Sequence, residues 1–288
     1  MDFLKQVSIE IYPEGVSDEE RKSYREKYGG QMQALLDAIR RQRQEREFSK
    51  QRNGESGQGK LWIVDNGIRA QELLERGCPV LAWLHEDNRD QNFGGVRYAC
   101  ENIGELDFDY LEKVYRRYAG IPWDILTTER CLVRETCVED LDAFYEIYAD
   151  TSVTRYTEGL YPEREQEEAY LKDYAENMYY FYNYGVWTIC DRITGQVIGR
   201  AGFSNREGYA DPELGFVIGV PWQKKGLATE VCTALLQYGK EELGFDRVQM
   251  LVMPENDISL HLAEKLGFRR EDSVIWEGIL YECLIHEM

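Results

Sequence analysis

The sequence is short of positive charge. Lys and Arg number 34 against 53 Asp and Glu, a formal net charge of −19. A broad grip on a phosphate backbone or on an anionic membrane needs a basic surface, so neither partner is expected. Long apolar runs are also missing: no stretch of 18 or more residues is uninterrupted by polar ones, and the opening MDFLKQVSIEIYPEG holds no apolar signal core. The expectation is a soluble chain that stays where it is made, in the cytoplasm. Histidine is scarce, and His85, His261 and His286 are too dispersed to suggest a metal site. None of the seven cysteines (Cys78, Cys100, Cys131, Cys137, Cys190, Cys232, Cys283) is spaced as C-x-x-C, so zinc knuckles and redox dithiols are unsupported. Most sit in apolar patterns, where a thiol behaves as a small buried hydrophobe. No G-x-G-x-x-G and no internal repeat occur. What is present is 43% apolar and 12% aromatic residues, 20 of them Tyr, in 288 residues. That is ample for a packed core and for two modest domains or one large one.

Residues 18–47 read as a helix with an acidic start at Asp18-Glu19-Glu20 and a basic end at Arg40, Arg41, Arg43 and Arg46, matching the polarity of the helix termini. RNGESGQGK at 52–60 reads as a polar loop or linker. An α/β pattern follows: strand 61–65, helix 68–77 stopped by Gly77, strand 79–85, a short strand VRYAC and helix 109–120. Two parallel strands flanking a helix make a Rossmann-like fragment. From about Cys131 the pattern resets to strand 131–135, helix 138–150, helix 164–184 and strands 186–190, 197–203 and 213–220. Helix 228–243, strand 247–253, helix 257–266 and a hairpin turning at Glu277-Gly278 complete it.

The most informative stretch is the strand ELGFVIGV running into PWQKKGLATE at the start of a long helix. The first amides of a helix have no intrahelical partners, and the dipole end is positive. Gly226 allows close backbone approach, Ala228 keeps the first turn uncrowded, and Lys224 and Lys225 add local positive charge to an acidic protein. Gln223 to Ala228 can therefore cradle a pyrophosphate.

This stretch resembles the Q/R-x-x-G-x-G/A loop of the GNAT superfamily of acyl-CoA-dependent N-acetyltransferases. Asn256-Asp257-Ile258-Ser259, followed by Glu264-Lys265-Leu266-Gly267-Phe268, is similar to that family's second cofactor segment. Ser three residues after the Asn, with Ala-Thr-Glu opening the long helix, is most similar to the ribosomal-protein N-terminal acetyltransferase branch. The resemblance spans roughly residues 128–288. It implies an α+β fold, a mixed and mostly antiparallel sheet flanked by helices and splayed between its fourth and fifth strands. This domain, 126–288, follows a smaller α/β domain, 1–125, of unassigned role.

The resemblance also implies acetyl-CoA as cosubstrate, without a metal. Backbone at Phe216, Val217 and Ile218 would pair with the pantetheine, and Gln223, Lys224, Lys225, Gly226, Ala228 and Thr229 would form the pyrophosphate cradle. Asn256 would bond the pantetheine arm. Direct transfer to a primary amine, of a protein or peptide N-terminus or a small molecule, needs a proton acceptor. Glu213 is the leading base. Many relatives carry a Tyr seven residues after the Asn to protonate the leaving thiolate; here that position is Ala263, leaving Ser259 or a water. Tyr156, Glu158 and Tyr161 fall in the connection that shapes the acceptor pocket in this family. The acidic surplus mildly favours a cationic acceptor.

Each motif has a plainer reading. Asn256 and Ser259 can cap a helix, an acidic residue at a strand entrance such as Glu213 is commonly solvated, and Glu230 suits a helix start. The tyrosines at 156 and 161 and the run 179–182 can simply pack. His85 with Glu86 and Asp87 has no second His at ligand spacing, and Cys232 lies on an apolar helix face. The departure at Ala263 also suits a non-catalytic acyl-CoA-binding module with an N-terminal interaction domain.

Overall fold

The computed structural model describes residues 2–10, 17–50 and 56–288, and the chain divides into two compact units, Met1–Ile121 and Pro122–Met288. In the first unit, β1 (Asp2–Glu10), β2 (Ser56–Val64), β3 (Val80–Trp83) and β4 (Tyr98–Cys100) form an all-parallel sheet in that order. Parallel strands are buried on both faces, and alternation along β2 shows this directly. Leu61 and Ile63 face α1 (Asp18–Lys50) and α3 (Phe108–Tyr118), packing with Tyr28, Leu35, Phe108 and Leu111. Trp62 and Val64 face the other way, onto Ala70 and Leu73 of α2 (Gly67–Glu75). Asn66 and Asp107 cap α2 and α3 by accepting from the amides of Arg69 and Tyr110.

One expectation fails here, and one strand goes unforeseen. Residues 2–10 form a strand that the sequence reading passes over, and residues 56–60 of the expected loop extend β2; residues 52–55 lie outside the described residues. The reason is tertiary. Ser56–Lys60 has no apolar alternation, and its extended backbone comes from parallel pairing with β1, which overrides local composition.

The second unit is built on one sheet. β5 (Asp124–Thr127), β6 (Cys131–Arg134), β7 (Val186–Asp191), β8 (Val197–Ser204), β9 (Glu213–Ile218), β10 (Arg247–Val252), β13 (Ile279–Glu287) and β11 (Arg269–Arg270) lie side by side, and β12 (Val274–Trp276) pairs with β13. Because β5 pairs antiparallel with β6, the division of the chain falls at 121/122, ahead of residue 125. One face of the sheet packs α7 (Leu227–Glu241) and α8 (Asp257–Lys265), with Trp187, Phe203, Val231, Cys232 and Leu235 at its centre. The other side carries α4 (Leu141–Tyr148), the short α5 (Thr151–Thr154) and α6 (Arg164–Tyr174), where Leu141, Phe144 and Leu171 are buried together. Helices α2, α7 and α8 stop where the sequence places Gly77, Gly244 and Gly267, all in the left-handed region.

The long helix expected over 164–184 is interrupted. After Tyr174 the backbone widens into a π-turn, Ala175–Tyr179, that drops the Tyr179 ring into the core and lets its hydroxyl donate to the Val186 carbonyl. Tyr180 is half-buried against the same core, while Phe181, 78% exposed, and Tyr182 are at the surface. Arg134 and Asp140 form a bidentate pair, and Asp140 also accepts from Thr188 Oγ1 at 2.8 Å and from the Cys137 amide at 3.1 Å. Those bonds hold its carboxyl below its ordinary value against the opposing effect of burial. Among the described residues, no helix is long and apolar enough to cross a membrane.

Candidate active site

The site begins as a defect in the sheet. All neighbours in the second unit are antiparallel except β9 and β10, which are parallel and meet at one register position, Gln249↔Glu213. Beyond Glu213 the two strands diverge. On its other edge β9 stays paired with β8 from Glu213 to Ile218, and a Cβ at Gly199 would stand 2.1 Å from the Val217 carbonyl oxygen. Glycine there lets β8 and β9 approach closely, so the β10-facing backbone of Phe216, Val217 and Ile218 is presented on a rigid strand with no strand partner among the described residues. Unpaired strand edges are templates for an extended ligand. Beside the single pairing point, the buried Nε2 of Gln249 has no hydrogen-bond partner.

At the carboxyl end of β9 the chain enters the Gln223–Gly226 loop. Gln223 Nε2 donates to the Ile218 carbonyl at 2.9 Å, tying the loop to the strand. Lys224 (φ 58°) and Gly226 (φ 79°) are both left-handed, a conformation costly for most side chains at 226 but free for glycine. The ladder of α7 opens with the Glu230 amide donating to the Gly226 carbonyl at 3.1 Å, which leaves the amides of Leu227, Ala228 and Thr229 outside it. Lys225 lies 4.8 Å from the centre of the Trp222 ring.

A residue absent from the sequence argument braces this loop. Arg130 donates from Nη1 to the Lys225 carbonyl (2.8 Å) and from Nε to Glu230 Oε2 (2.6 Å), while its amide meets Glu230 Oε1 (2.9 Å). Against burial, hydrogen bonds from Thr128 and Arg130 hold Glu230 below its ordinary value. Glu230 is thus a brace at the helix start.

Glu213 opens β9, about 16 Å along the strand from Ile218. It is 8% exposed, and Arg206 grips it from two nitrogens, Nε on Oε2 and Nη2 on Oε1. The Arg206 guanidinium in turn lies 4.2 Å from the centre of the Trp276 ring. Burial pushes the Glu213 carboxyl above its ordinary value, Arg206 pulls it down, and the charge of Glu158 raises it again. Sequence reasoning missed Arg206 because it sits in a polar turn whose composition gives no hint that it folds back.

The remaining candidates fall into two groups. Tyr156 Oη donates to the Glu255 carbonyl at 2.9 Å, bringing the α5–α6 connection against the turn that precedes Asn256. Asn256 caps α8 by accepting the Ser259 amide at 3.2 Å; among the described residues no hydrogen bond joins Asn256 or Ser259 to Glu213. Tyr161 heads a ladder of rings, Tyr161–Tyr170–Tyr174–Tyr179, with centroids 5.9, 5.9 and 5.4 Å apart. Ala263 is fully buried in the core. Cys232 is likewise buried, its thiol pushed up to about 12.

A gap along β9, the open amides of a helix N-terminus at one end and a buried carboxylate at the other invite comparison with known proteins. The acetyltransferase (GNAT) domain family matches residues 130–269. The uncharacterized N-acetyltransferase YnaD of Bacillus subtilis (strain 168) is 32% identical over 160 residues, spanning 55% of this chain and 87% of the relative. The chain belongs to the GNAT family of acetyltransferases. The [ribosomal protein uS5]-alanine N-acetyltransferase of Escherichia coli (strain K12) is 30% identical over 163 residues, 53% of this chain and 82% of that enzyme. A solved acetyltransferase from Agrobacterium tumefaciens aligns over 57% of this chain and 94% of its own at 22% identity, with a TM-score of 0.49. The family match lies in the second unit, the GNAT unit, and the first unit has no family match.

Proposed function

We propose that the GNAT unit transfers an acetyl group directly from acetyl-CoA to a primary amine, with the cosubstrate lying along the open edge of β9. The observation that carries this reading is the single Gln249↔Glu213 pairing between β9 and β10. It leaves an unpaired backbone edge whose length separates the cradle from Glu213. The residues fit the group. The edge at Phe216, Val217 and Ile218 suits the amides of a pantetheine arm, with Asn256 at the neighbouring turn. The Gly226, Ala228 and Thr229 amides, with Gln223 bracing the loop and Lys224 and Lys225 adding charge, suit its pyrophosphate. When bound, acetyl-CoA supplies an activated thioester.

The chain's own part is proton handling and orientation. Glu213 takes the proton from the acceptor ammonium. Arg206 occupies one direction on each of its oxygens, and a carboxylate has about four acceptor sites, so capacity remains. A raised pKa suits a base working near neutrality. Ser259, or a water it orients, returns a proton to the leaving thiolate. Glu158 and Glu213 outnumber Arg206 in charge, which favours a cationic acceptor flanked by Tyr156 and Tyr161, either a small amine or a protein N-terminus. The test is release of free CoA thiol in the presence of acetyl-CoA and a panel of small amines and basic peptides. Acceptor-dependent release is expected. Binding of acetyl-CoA without release for any acceptor would support a non-catalytic acyl-CoA sensor in its place.

A further inference from the structure

The first unit holds a feature that acetyl transfer does not use. The connection after β1 leads to α1 on one face of the parallel sheet, and the one after β2 leads to α2 on the other. Where neighbouring connections part to opposite faces, a crevice opens at the carboxyl ends of the strands, the usual place for ligands in such sheets. A cavity of about 380 Å³ lies there. Ser23, Tyr24 and Lys27 of α1 line it, together with Asp65 just past β2 and His85 and Asn88 past β3.

The polar groups around it form a directed chain. The Asp87 amide donates to His85 Nδ1 at 3.2 Å, which places the ring proton on Nε2. Nε2 lies 2.6 Å from Tyr24 Oη and donates to it. The Tyr24 hydroxyl then donates to Asp65 Oδ2. Asn88 fixes the framework, its Nδ2 bonding the carbonyls of Asp65 and Trp83 at 2.8 Å each. The chain ends on a carboxylate whose side chain is 2% exposed and whose second oxygen, Oδ1, is buried without any hydrogen-bond partner. A desolvated, half-satisfied carboxylate is costly, and burial pushes Asp65 above its ordinary value.

A ligand that complements this carboxylate brings a donor and positive charge. Among the lining residues Glu20, Asp65 and Asp87 face one ammonium, Lys27, and that ammonium is already held by Asp87 at 2.9 Å and Glu86 at 3.4 Å. A phosphate or carboxylate ligand would meet excess negative charge, and a neutral hydroxyl would satisfy Oδ1 without compensating it. Among the described residues no group of three or more His, Cys, Asp or Glu could hold a metal ion. We propose that this cavity binds a small organic ammonium, its charge set against the Asp65 carboxylate that lines the cavity and flanked by the Tyr24 ring. The volume matches the lower range of small-molecule pockets and suits a short-chain amine.

With three histidines in the chain, His85 is a local reporter, so amine binding in the GNAT unit cannot be mistaken for binding here. The experiment titrates the 15N-labelled full-length chain with putrescine dihydrochloride at fixed pH and follows the imidazole resonances. The His85 signals are expected to shift saturably, with His261 and His286 unmoved, and 1,4-butanediol or inorganic phosphate should leave His85 in place. Asp65→Asn should weaken the putrescine response at least tenfold. Ser23→Trp, which crowds the cavity without touching the hydrogen-bond chain, should weaken it as well, so the loss does not depend on one substitution. A His85 signal that ignores putrescine overturns the proposal. So does one that responds equally to butanediol or phosphate, or an unchanged affinity in Asp65→Asn.

Discussion

Each unit of this chain buries a carboxylate at the end of a strand, Asp65 after β2 and Glu213 at the start of β9, and treats it differently. Asp65 has one oxygen satisfied by Tyr24 and the other open. Glu213 is clamped through both oxygens by Arg206. Burial nevertheless raises both above their ordinary values. Asp140 is the opposite limit: equally buried, but with Arg134, Thr188 and the Cys137 amide around it, its carboxyl is lowered. The series shows that burial alone does not decide how a carboxylate behaves. The number and charge of its partners do.

Substitutions along that series should break it in graded fashion. Removing the most compensated carboxylate should cost most. Asp140→Ala leaves Arg134, whose side chain is 18% exposed, without its counter-ion, and a loss of about 3–5 kcal/mol in denaturant unfolding is expected. The sign of its pH dependence follows from the lowered value: the stabilisation is complete above the ordinary 3.8 and is lost as pH falls through the depressed folded value. Stability of wild type and Asp140→Asn should therefore converge in strong acid.

Next comes the catalytic assignment. Glu213→Gln should lower kcat by about 100-fold, about 2.7 kcal/mol, while acetyl-CoA binding persists. In the wild type, kcat should rise with pH through the raised Glu213 value and then level off. Arg206→Met should shift that rise to higher pH, since the influence that lowers Glu213 is gone, and should cost about 2 kcal/mol of stability by leaving a buried carboxylate unpaired. An unshifted profile would remove Glu213 from proton transfer.

The smallest effect should be at Asp65. Its raised value means that ionisation is easier in the unfolded chain, so stability is fullest below the ordinary 3.8 and declines as pH rises through the folded value. Asp65→Asn should abolish that decline and change neutral-pH stability by less than about 1 kcal/mol, read by calorimetry across a pH series. Putrescine should stabilise the wild type more than the variant.

What was legible in the sequence was local or motif-based. The meander, the helix stops at Gly77, Gly244 and Gly267, and the Gln223–Gly226 loop all depend on residues adjacent in the chain. What was hidden depends on distant partners. β1 and the first half of β2 become strands through each other, and neither shows apolar alternation strong enough to announce it. Arg206 and Arg130 look like ordinary surface arginines until folding sets one on Glu213 and the other on Glu230. His85 stands out in the sequence beside Glu86 and Asp87, but that grouping misleads. Its informative partners, Tyr24 and Asp65, lie 61 and 20 residues away. The shortening of α6 at Tyr174 was equally unreadable, because a π-turn is selected by the pocket that receives Tyr179.

The claim on which the functional reading stands is that the β9 edge and the α7 N-terminus hold acetyl-CoA. Isothermal titration of acetyl-CoA into the full-length protein and into Gly226→Glu tests it most directly. That substitution puts a side chain on a left-handed residue (φ 79°) and a negative charge in the anion cradle. Saturable binding by the wild type and its loss in Gly226→Glu is the expected result. Equal affinity in a folded Gly226→Glu would contradict it.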